Sequence, residues 1–262
     1  MRGTSELVQK NAANQTSSDL DRDYITQWRY GVDETWTLLV PNTKGGASVP
    51  LAQNEKAMEK ANPEFYQIYQ QLGQYWGNQP GTSGPVYVGA FVMLLFVLGL
   101  FIVKGPMKWA LLAATVLSVL LSWGRNFMWF TDLFLDYVPM YAKFRTVASI
   151  LVIAEFTIPL LAMLALKKVL ETENFLKGTT PLLVGPASHR FVCREVKNRS
   201  WLALSFVLTA GMCVAFAIMP TVFFPDFVSN AELRALASIP SEYLTPLISN
   251  LRELRISIFT AA

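Results

Sequence analysis

Four long apolar stretches constrain the fold of this chain more than any other feature. Pro85–Val103 runs for nineteen residues without a charge, and a helix of that length crosses the roughly 30 Å hydrocarbon layer of a bilayer. Similar stretches follow at Trp109–Trp123, Arg145–Leu166 and Trp201–Met219. Because only helices and closed barrels satisfy the backbone in lipid, the sequence predicts an all-α, polytopic helical membrane protein with about four transmembrane helices.

These stretches divide the chain into three parts. Residues 85–224 are predicted to form a four-span transmembrane bundle, with a loop region at residues 1–84 and a helical tail at residues 225–262. The tail carries apolar residues at helical spacing, namely Leu247, Leu251, Leu254 and Ile258. Since the sequence begins without an apolar signal core and ends on an apolar run, we expect an internal fragment of a longer protein.

The distribution of lysine and arginine sets the expected orientation. Residues 104–108 contain two basic residues, and residues 167–200 contain seven against three acidic ones. Connections rich in lysine and arginine usually face the cytoplasm, whereas the balanced loop at residues 124–144 is expected on the opposite side. By alternation, residues 1–84 and 225–262 are predicted to lie outside the cytoplasm.

Net charge and cysteine content exclude two classes of protein. A net charge of +3, from 22 basic and 19 acidic residues, gives no electrostatic footprint for nucleic acid. One histidine and two cysteines cannot build a Cys/His zinc site. Cys193 lies in a polar connection and Cys213 in an apolar stretch, so no disulfide between them is predicted.

Charged side chains concentrate between the second and third apolar stretches. Asp132 and Asp136 are four residues apart, so a helix would present both carboxylates on one face, where they could bind a cation or abstract a proton. Arg145 follows Lys143 and Phe144 at the start of the third stretch, and its planar guanidinium suits a phosphate. Anchoring at the membrane interface explains each of these residues equally well.

Glu155 stands near the middle of the third stretch, at a depth where an acidic side chain is costly in lipid. Pro159 lacks the N–H that would bond to the carbonyl of Glu155, so two polar acceptors lie at one depth. One interpretation is a neutral carboxyl bonded to a hydroxyl of a neighbouring helix, with four candidates: Ser118, Ser122, Ser205 and Thr209. The other interpretation is a site in a buried cavity.

The region before the first stretch combines aromatic rings with carboxylates. Among the acidic residues of this region the sequence places Tyr24, Trp28, Tyr30 and Trp36. Rings beside carboxylates suit sugar binding, but an aromatic platform on the membrane surface is the favoured interpretation. Thr43–Ser48 contains two glycines without the spacing of a phosphate-binding loop, and it is predicted to be a plain turn.

Two stretches carry a family resemblance. Thr26–Ser48, which reads TQWRYGVDETWTLLVPNTKGGAS, and Leu95–Ala162 resemble the YfhO family of bacterial polytopic membrane proteins, in the form typical of Bacteroidetes. Members of that family are similar to C-type membrane glycosyltransferases, which are helical bundles that use lipid-phosphate-linked sugars outside the cytoplasm. The resemblance implies a bacterial inner-membrane protein in which Phe144 and Arg145, within PMYAKFR, occupy donor-phosphate or structural positions.

The resemblance also implies limits on activity. The acidic motif of such enzymes normally lies in a first outer loop, and this sequence lacks that region, so no complete active site is expected. The resemblance leaves open a divalent cation as cofactor. The implied partners are the lipid bilayer, a polyprenyl-phosphate-linked sugar and the remaining spans of the full-length protein.

The sequence therefore predicts part of an inner-membrane glycosyltransferase-like protein that transfers a sugar from a polyprenyl-phosphate donor to a cell-envelope acceptor. The alternatives are a transporter or flippase, which Glu155 and Pro159 would favour, and a non-catalytic membrane scaffold for envelope assembly. Inverted repeats would support a transporter, and none is visible in the four stretches.

Overall fold

The computed structural model describes residues 22–84, 86–139, 141–143, 146–184, 191–225 and 227–261. This part of the chain is mostly helical, which confirms the helical class predicted from the apolar stretches. Its α-helices are α1 Arg22–Ile25, α2 Glu55–Met58, α3 Tyr66–Gln71, α4 Ala90–Ile102, α5 Met107–Ser122, α6 Met128–Tyr137, α7 Val152–Glu171, α8 Asn198–Ile218, α9 Pro220–Phe223, α10 Asn230–Leu236 and α11 Ser241–Thr260. The 3₁₀ helices are Asp33–Leu38, Leu51–Gln53, Pro63–Phe65, Gly124–Phe127, Tyr141–Lys143, Val147–Leu151 and Phe175–Lys177.

Two helical segments are long and apolar enough to cross a membrane. They are Val147–Glu171, with 25 residues including α7, and Asn198–Ile218, which is α8, with 21 residues. They coincide largely with the third and fourth apolar stretches of the sequence. The chain is therefore a membrane protein candidate on the strength of these two helices.

The first two apolar stretches form shorter helices than predicted. Helix α4 has 13 residues, so it spans only about 20 Å at the rise of an α-helix. Helix α5 has 16 residues, and the chain then bends by 109° into the segment Gly124–Tyr137. The bend begins at Gly124, where φ is +48° and an added Cβ would lie 2.8 Å from Val147. Length and composition thus support two crossing helices, or three if the bent pair is one span.

Helix α7 is the centre of the apolar helices. It packs against α4 on one side and α5 on the other, and α4 packs in turn against α8. Gly99 lets α4 approach α7 closely, because a Cβ at this position would lie 3.0 Å from Leu161. The buried face of α7 consists of Ala154, Thr157, Ile158, Leu161, Ala162 and Ala165.

These four helices alternate in direction. The start of α4, the end of α5, the start of the α7 segment and the end of α8 all contact residues 28–38, and we call this the proximal end. The contacts are Val88 N to Leu38 O, Tyr30 N to Ser122 O, Ala148 N to Trp28 O, and the rings of Trp36 and Phe216. At the opposite, distal end, Phe101 stacks on Trp201 and Lys108 donates to the carbonyl of Leu100.

The distal end carries an antiparallel hairpin that corrects the all-α prediction. Strands β1 Thr179–Val184 and β2 Phe191–Lys197 pair so that Thr179 lies opposite Lys197. Asn198, the first residue of α8, anchors the hairpin by accepting from Thr180 and donating to the carbonyl of Phe175. The charges of residues 167–200 predict only a polar connection, because a count of charges does not distinguish a loop from a polar hairpin.

The early and late parts of the chain form a second unit beside the proximal end. Helix α11 packs against α2, and its predicted apolar stripe is fully buried. We call this the paired unit; its buried residues are Leu51, Ala57, Phe65, Tyr69, Val228, Leu236, Leu247, Leu251, Leu254 and Ile258. The stripe is the buried face of α11, and it gives the early and late parts of the chain a common core.

Arg255 closes the paired unit with a buried ion pair. Its side chain is 0% exposed and binds both carboxylate oxygens of Glu232, at 2.5 and 2.9 Å. The same guanidinium donates to the carbonyls of Phe227 and Gly73, at 2.8 and 2.7 Å. Glu232 also caps α10 together with Ser229. One side chain therefore ties three distant segments together.

Candidate functional site

The predicted carboxylate pair lies on α6 at the proximal end. Asp132 and Asp136 are one turn apart, and each accepts a bond from one terminal nitrogen of Arg22. Helix α1 is held there because Ile25 packs with Leu135 and Val147. The two carboxylates thus share one guanidinium, which offsets one of their two negative charges and occupies the position that a bound cation would take.

A second arginine follows the bend at Gly124. The guanidinium of Arg125 pairs with the carboxylate of Asp23, in an ion pair that is largely exposed. Two side-chain hydrogen bonds to backbone carbonyls hold this region in place. Asn126 donates to the carbonyl of Tyr30, and Thr131 donates to the carbonyl of Gly124. The loop at residues 124–139 is therefore an ordered layer of helix and turn, whose charged residues pair with Arg22 and Asp23.

Arg29 lies against this layer at Gly124 and has a polar atom without a hydrogen-bond partner. Its Nε is buried and has no hydrogen-bond partner, and the described residues offer it no ion pair. Burial, together with the nearby Arg125 guanidinium, lowers the pKa of Arg29. Two neighbouring guanidinium groups repel each other, so their proximity favours an anion between or beside them.

No pattern in the sequence marks Arg29 as a candidate site residue. Its position in TQWRYGVDE gives no sign of burial, because the burial arises when Gly124 and Tyr75 approach from distant parts of the chain. The Cβ of Arg29 lies only 3.2 Å from the position that a Cβ on Gly124 would occupy. The burial of Arg29 therefore results from tertiary packing.

A buried polar network lies next to these arginines. Glu34 is 2% exposed and accepts from the hydroxyl of Tyr75 at 2.8 Å and the amide of Gly31 at 3.0 Å. Tyr30 is also buried and shares a 2.6 Å hydrogen bond with Thr37. Burial raises the pKa of Glu34, against the opposing effect of these hydrogen bonds. Of the predicted aromatic platform, Tyr30 thus belongs to the interior, whereas Trp28 and Trp36 remain exposed.

The raised pKa of Glu34 predicts a pH effect on stability. The folded protein holds this proton more tightly than the unfolded chain, so the stability it contributes is lost as the pH rises from 4.5 through the raised pKa. Glu34→Gln stays neutral, and we expect its melting temperature to decline less than that of the wild type as the pH rises above 4.5. Thermal unfolding at closely spaced pH values measures the difference.

The control for this effect is Glu64→Gln, because Glu64 is exposed on a 3₁₀ turn. It should retain the wild-type dependence of melting temperature on pH. If Glu34→Gln also retained the wild-type dependence, burial of the Glu34 carboxyl would have no part in the pH response.

Lys44 is buried within Thr43–Ser48, the segment that is predicted to be a plain turn. The turn is present, with Gly45 and Gly46 both at positive φ. The ammonium of Lys44, however, pairs with Asp33 and lies 3.7 Å from the centre of the Trp76 ring. Its role is therefore to hold the turn against Trp76.

Glu155 lies in neither of the environments proposed for it. The side chain is exposed on α7, and the four candidate hydroxyls donate to carbonyls of their own helices. These bonds are Ser118 to Thr115, Ser122 to Val119, Ser205 to Trp201 and Thr209 to Ser205. The exposure of Glu155 removes the argument for an enclosed transport site among these helices.

The remaining predicted residues flank this layer. Lys143 is exposed on the 3₁₀ turn Tyr141–Lys143. Phe144 and Arg145 lie outside the described residues. Within the described part of the chain, no three or more histidine, cysteine, aspartate or glutamate side chains are grouped so that they could hold a metal ion.

Comparison with known proteins gives no further guide to the site. No family model matches the sequence, and neither the curated proteins nor the solved structures contain a significant match.

Proposed function

We propose that the chain is part of a bacterial inner-membrane glycosyltransferase-like protein, and that its proximal end binds the phosphate of a polyprenyl-phosphate-linked sugar outside the cytoplasm. The family resemblance of Thr26–Ser48 and Leu95–Ala162 motivates the reaction class. The transferred group would go to a cell-envelope acceptor. The arginines of the proximal end supply the physical argument.

The arrangement of the helices supports a membrane topology with α4, α5, α7 and α8 as four spans. The alternating directions of these helices fit alternate crossings. The distal end favours a cytoplasmic position because it is rich in basic residues, which include Lys104, Lys108, Lys167, Lys168, Lys177, Lys197 and Arg199. The paired unit adds a parity argument, because residues 51–69 and α11 can pack together only if the chain between them crosses an even number of times.

Helix α6 supports a position of the proximal end at the depth of lipid headgroups. The bend of 109° turns the segment Gly124–Tyr137 across the end of α5 instead of continuing along it. Trp129, Leu133 and Tyr137 are exposed on this helix, while its two aspartates face Arg22. Exposed aromatic rings beside paired charges are typical of a helix that lies in a membrane interface.

The observation that carries the proposal is the unpartnered Nε of Arg29 beside Arg125. A buried guanidinium nitrogen without an acceptor is unfavourable, and a phosphate oxygen would supply the acceptor. Arg125 could contribute a second charge-assisted bond while it keeps its contact with Asp23. The family resemblance adds Phe144 and Arg145 to the proposed donor site, and both lie outside the described residues.

The corresponding prediction concerns Arg29→Lys. Lysine keeps the positive charge but lacks the planar fork, so the variant should bind a polyprenyl phosphate about tenfold more weakly than the wild type, a difference of about 1.4 kcal/mol. Because Nε has no partner in the unliganded protein, thermal stability should stay near that of the wild type. Titration of the purified protein in nanodiscs, followed by tryptophan fluorescence, gives both binding curves.

Arg234→Lys is the matched control, since Arg234 is exposed on α10 and distant from the arginine pair. It should bind the polyprenyl phosphate like the wild type, and inorganic phosphate in a parallel titration separates headgroup binding from binding of the lipid tail. Equal affinity of Arg29→Lys and the wild type would exclude Arg29 from the phosphate site.

A further inference from the structure

The exposed strip of α7 contains an acidic residue in an otherwise apolar surface. Glu155 is exposed in the candidate span Val147–Glu171. The neighbouring residues of this strip are apolar and well exposed, with Val152 at 61%, Phe156 at 67% and Met163 at 67%. The opposite face of α7 is the one that packs against α4 and α5. The strip is therefore a separate surface of the helix.

A carboxyl in this position needs a partner. Within the described residues Glu155 makes no hydrogen bond or ion pair, and its electrostatic interaction with Tyr30 brings it no positive charge. Pro159 adds to the deficit, since it cannot donate to the carbonyl of Glu155. An acidic side chain that faces hydrocarbon is strongly unfavourable, and such residues almost always face another helix or a polar cavity.

We propose that this strip is the contact surface for another transmembrane helix, which carries a lysine or arginine at the depth of Glu155. A basic side chain fits better than a neutral donor because it neutralises the carboxylate and donates to both of its oxygens. The apolar residues on either side of Glu155 then pack against the same helix. This inference does not depend on the reaction that the protein catalyses.

A second copy of the chain does not provide the required cation. In α4, α5, α7 and α8 the basic residues are Lys108, Lys167, Lys168 and Arg199, and all of them lie at the distal ends of their helices. Glu155 lies in the first turn of α7, toward the proximal end. A copy in the same orientation therefore places no lysine or arginine of these helices opposite Glu155.

Photo-crosslinking in native membranes tests the contact. Benzoylphenylalanine replaces Phe156, next to Glu155, and in a matched control it replaces Phe206, which is 59% exposed on α8. At Phe156 we expect an adduct with a transmembrane peptide that has lysine or arginine within one turn of the crosslinked residue, as identified by mass spectrometry. Glu155→Leu should reduce this adduct about tenfold, Glu155→Asp should retain most of it, and neither change should alter the products at Phe206.

The purified chain supplies a second measurement. Because Glu155 forms no hydrogen bond or ion pair with the described residues, Glu155→Leu should leave the melting temperature unchanged, so loss of the adduct cannot be attributed to misfolding. Adducts with lipid alone, a crosslinked helix without a basic residue, a crosslink to a second copy, or an adduct insensitive to Glu155→Leu would each overturn the proposal. A lower melting temperature would overturn it as well, because it would place the partner of Glu155 inside the chain.

Discussion

Arg255→Ala should lower the free energy of unfolding of the paired unit by about 3–5 kcal/mol, the cost of removing one partner from a buried ion pair. The substitution leaves the carboxylate of Glu232 without its bidentate partner in a largely buried site. It also removes the donors for the carbonyls of Phe227 and Gly73. Chemical unfolding of the purified protein measures the loss. It is followed by tryptophan fluorescence, to which Trp76 contributes through its packing on Phe227.

The control is Arg234→Ala, which removes an exposed arginine from α10. Its effect should stay within about 0.5 kcal/mol, as for most surface substitutions. Arg255→Met adds a test of mechanism, since it retains apolar volume while it removes the charge. If Arg255→Met were as stable as the wild type, the unpaired Glu232 carboxylate would carry no cost, and the ion pair would not be what holds the unit closed.

Gly45→Ala should lower the free energy of unfolding by about 3 kcal/mol, through backbone strain and overpacking together. Gly45 has a φ of +87°, where a residue with a Cβ is strained. The added Cβ would overlap the carbonyl oxygen of Gln74 and lie 2.7 Å from its carbonyl carbon. Neither group is the flexible end of a side chain, so relief requires the two segments to separate.

Gly81→Ala is the matched control, because its Cβ would lie 3.6 Å from the nearest atom, the Oγ of Ser48. It should change stability by no more than about 0.5 kcal/mol. Separation at Gly45 should also break the bond from Trp76 N to Lys44 O and move Lys44 from the Trp76 ring. A blue or red shift of the tryptophan emission in Gly45→Ala alone would report that movement; equal destabilisation by both alanines would contradict it.

The positions of the long helices could be predicted because hydrophobic periodicity is a local property. The stretch Trp201–Met219 already specifies α8 to within three residues at its start. The same reasoning placed Asp132 and Asp136 on one side of a helical turn. These predictions need only the nearest neighbours in the chain, which is why they required no knowledge of the rest of the fold.

The partners of the charged residues could not be predicted. Arg22 and Asp132 are 110 residues apart in the chain, and no pattern at either position indicates the other. Burial of Lys44 and Glu34 depends on contacts with Trp76 and Tyr75, which lie more than 30 residues away in the chain. The direction in which Glu155 faces could not be predicted either, because α7 is only weakly amphipathic and its sequence gives little indication of which side packs against α4. The assignments of substrate-binding residues therefore remain predictions.

The paired unit has a consequence for the order of events during synthesis. Its first half ends near Trp76 and its second half begins near Phe227, so about 150 residues are translated between them, which takes about 8–30 s at ~5–20 residues per second. Throughout that delay Leu51 and Tyr69 lack the leucines that bury them in the finished protein. In the proposed four-span topology, the early half therefore reaches its side of the membrane unfolded or shielded by a chaperone, and α11 completes the unit only after the spans between them have been inserted.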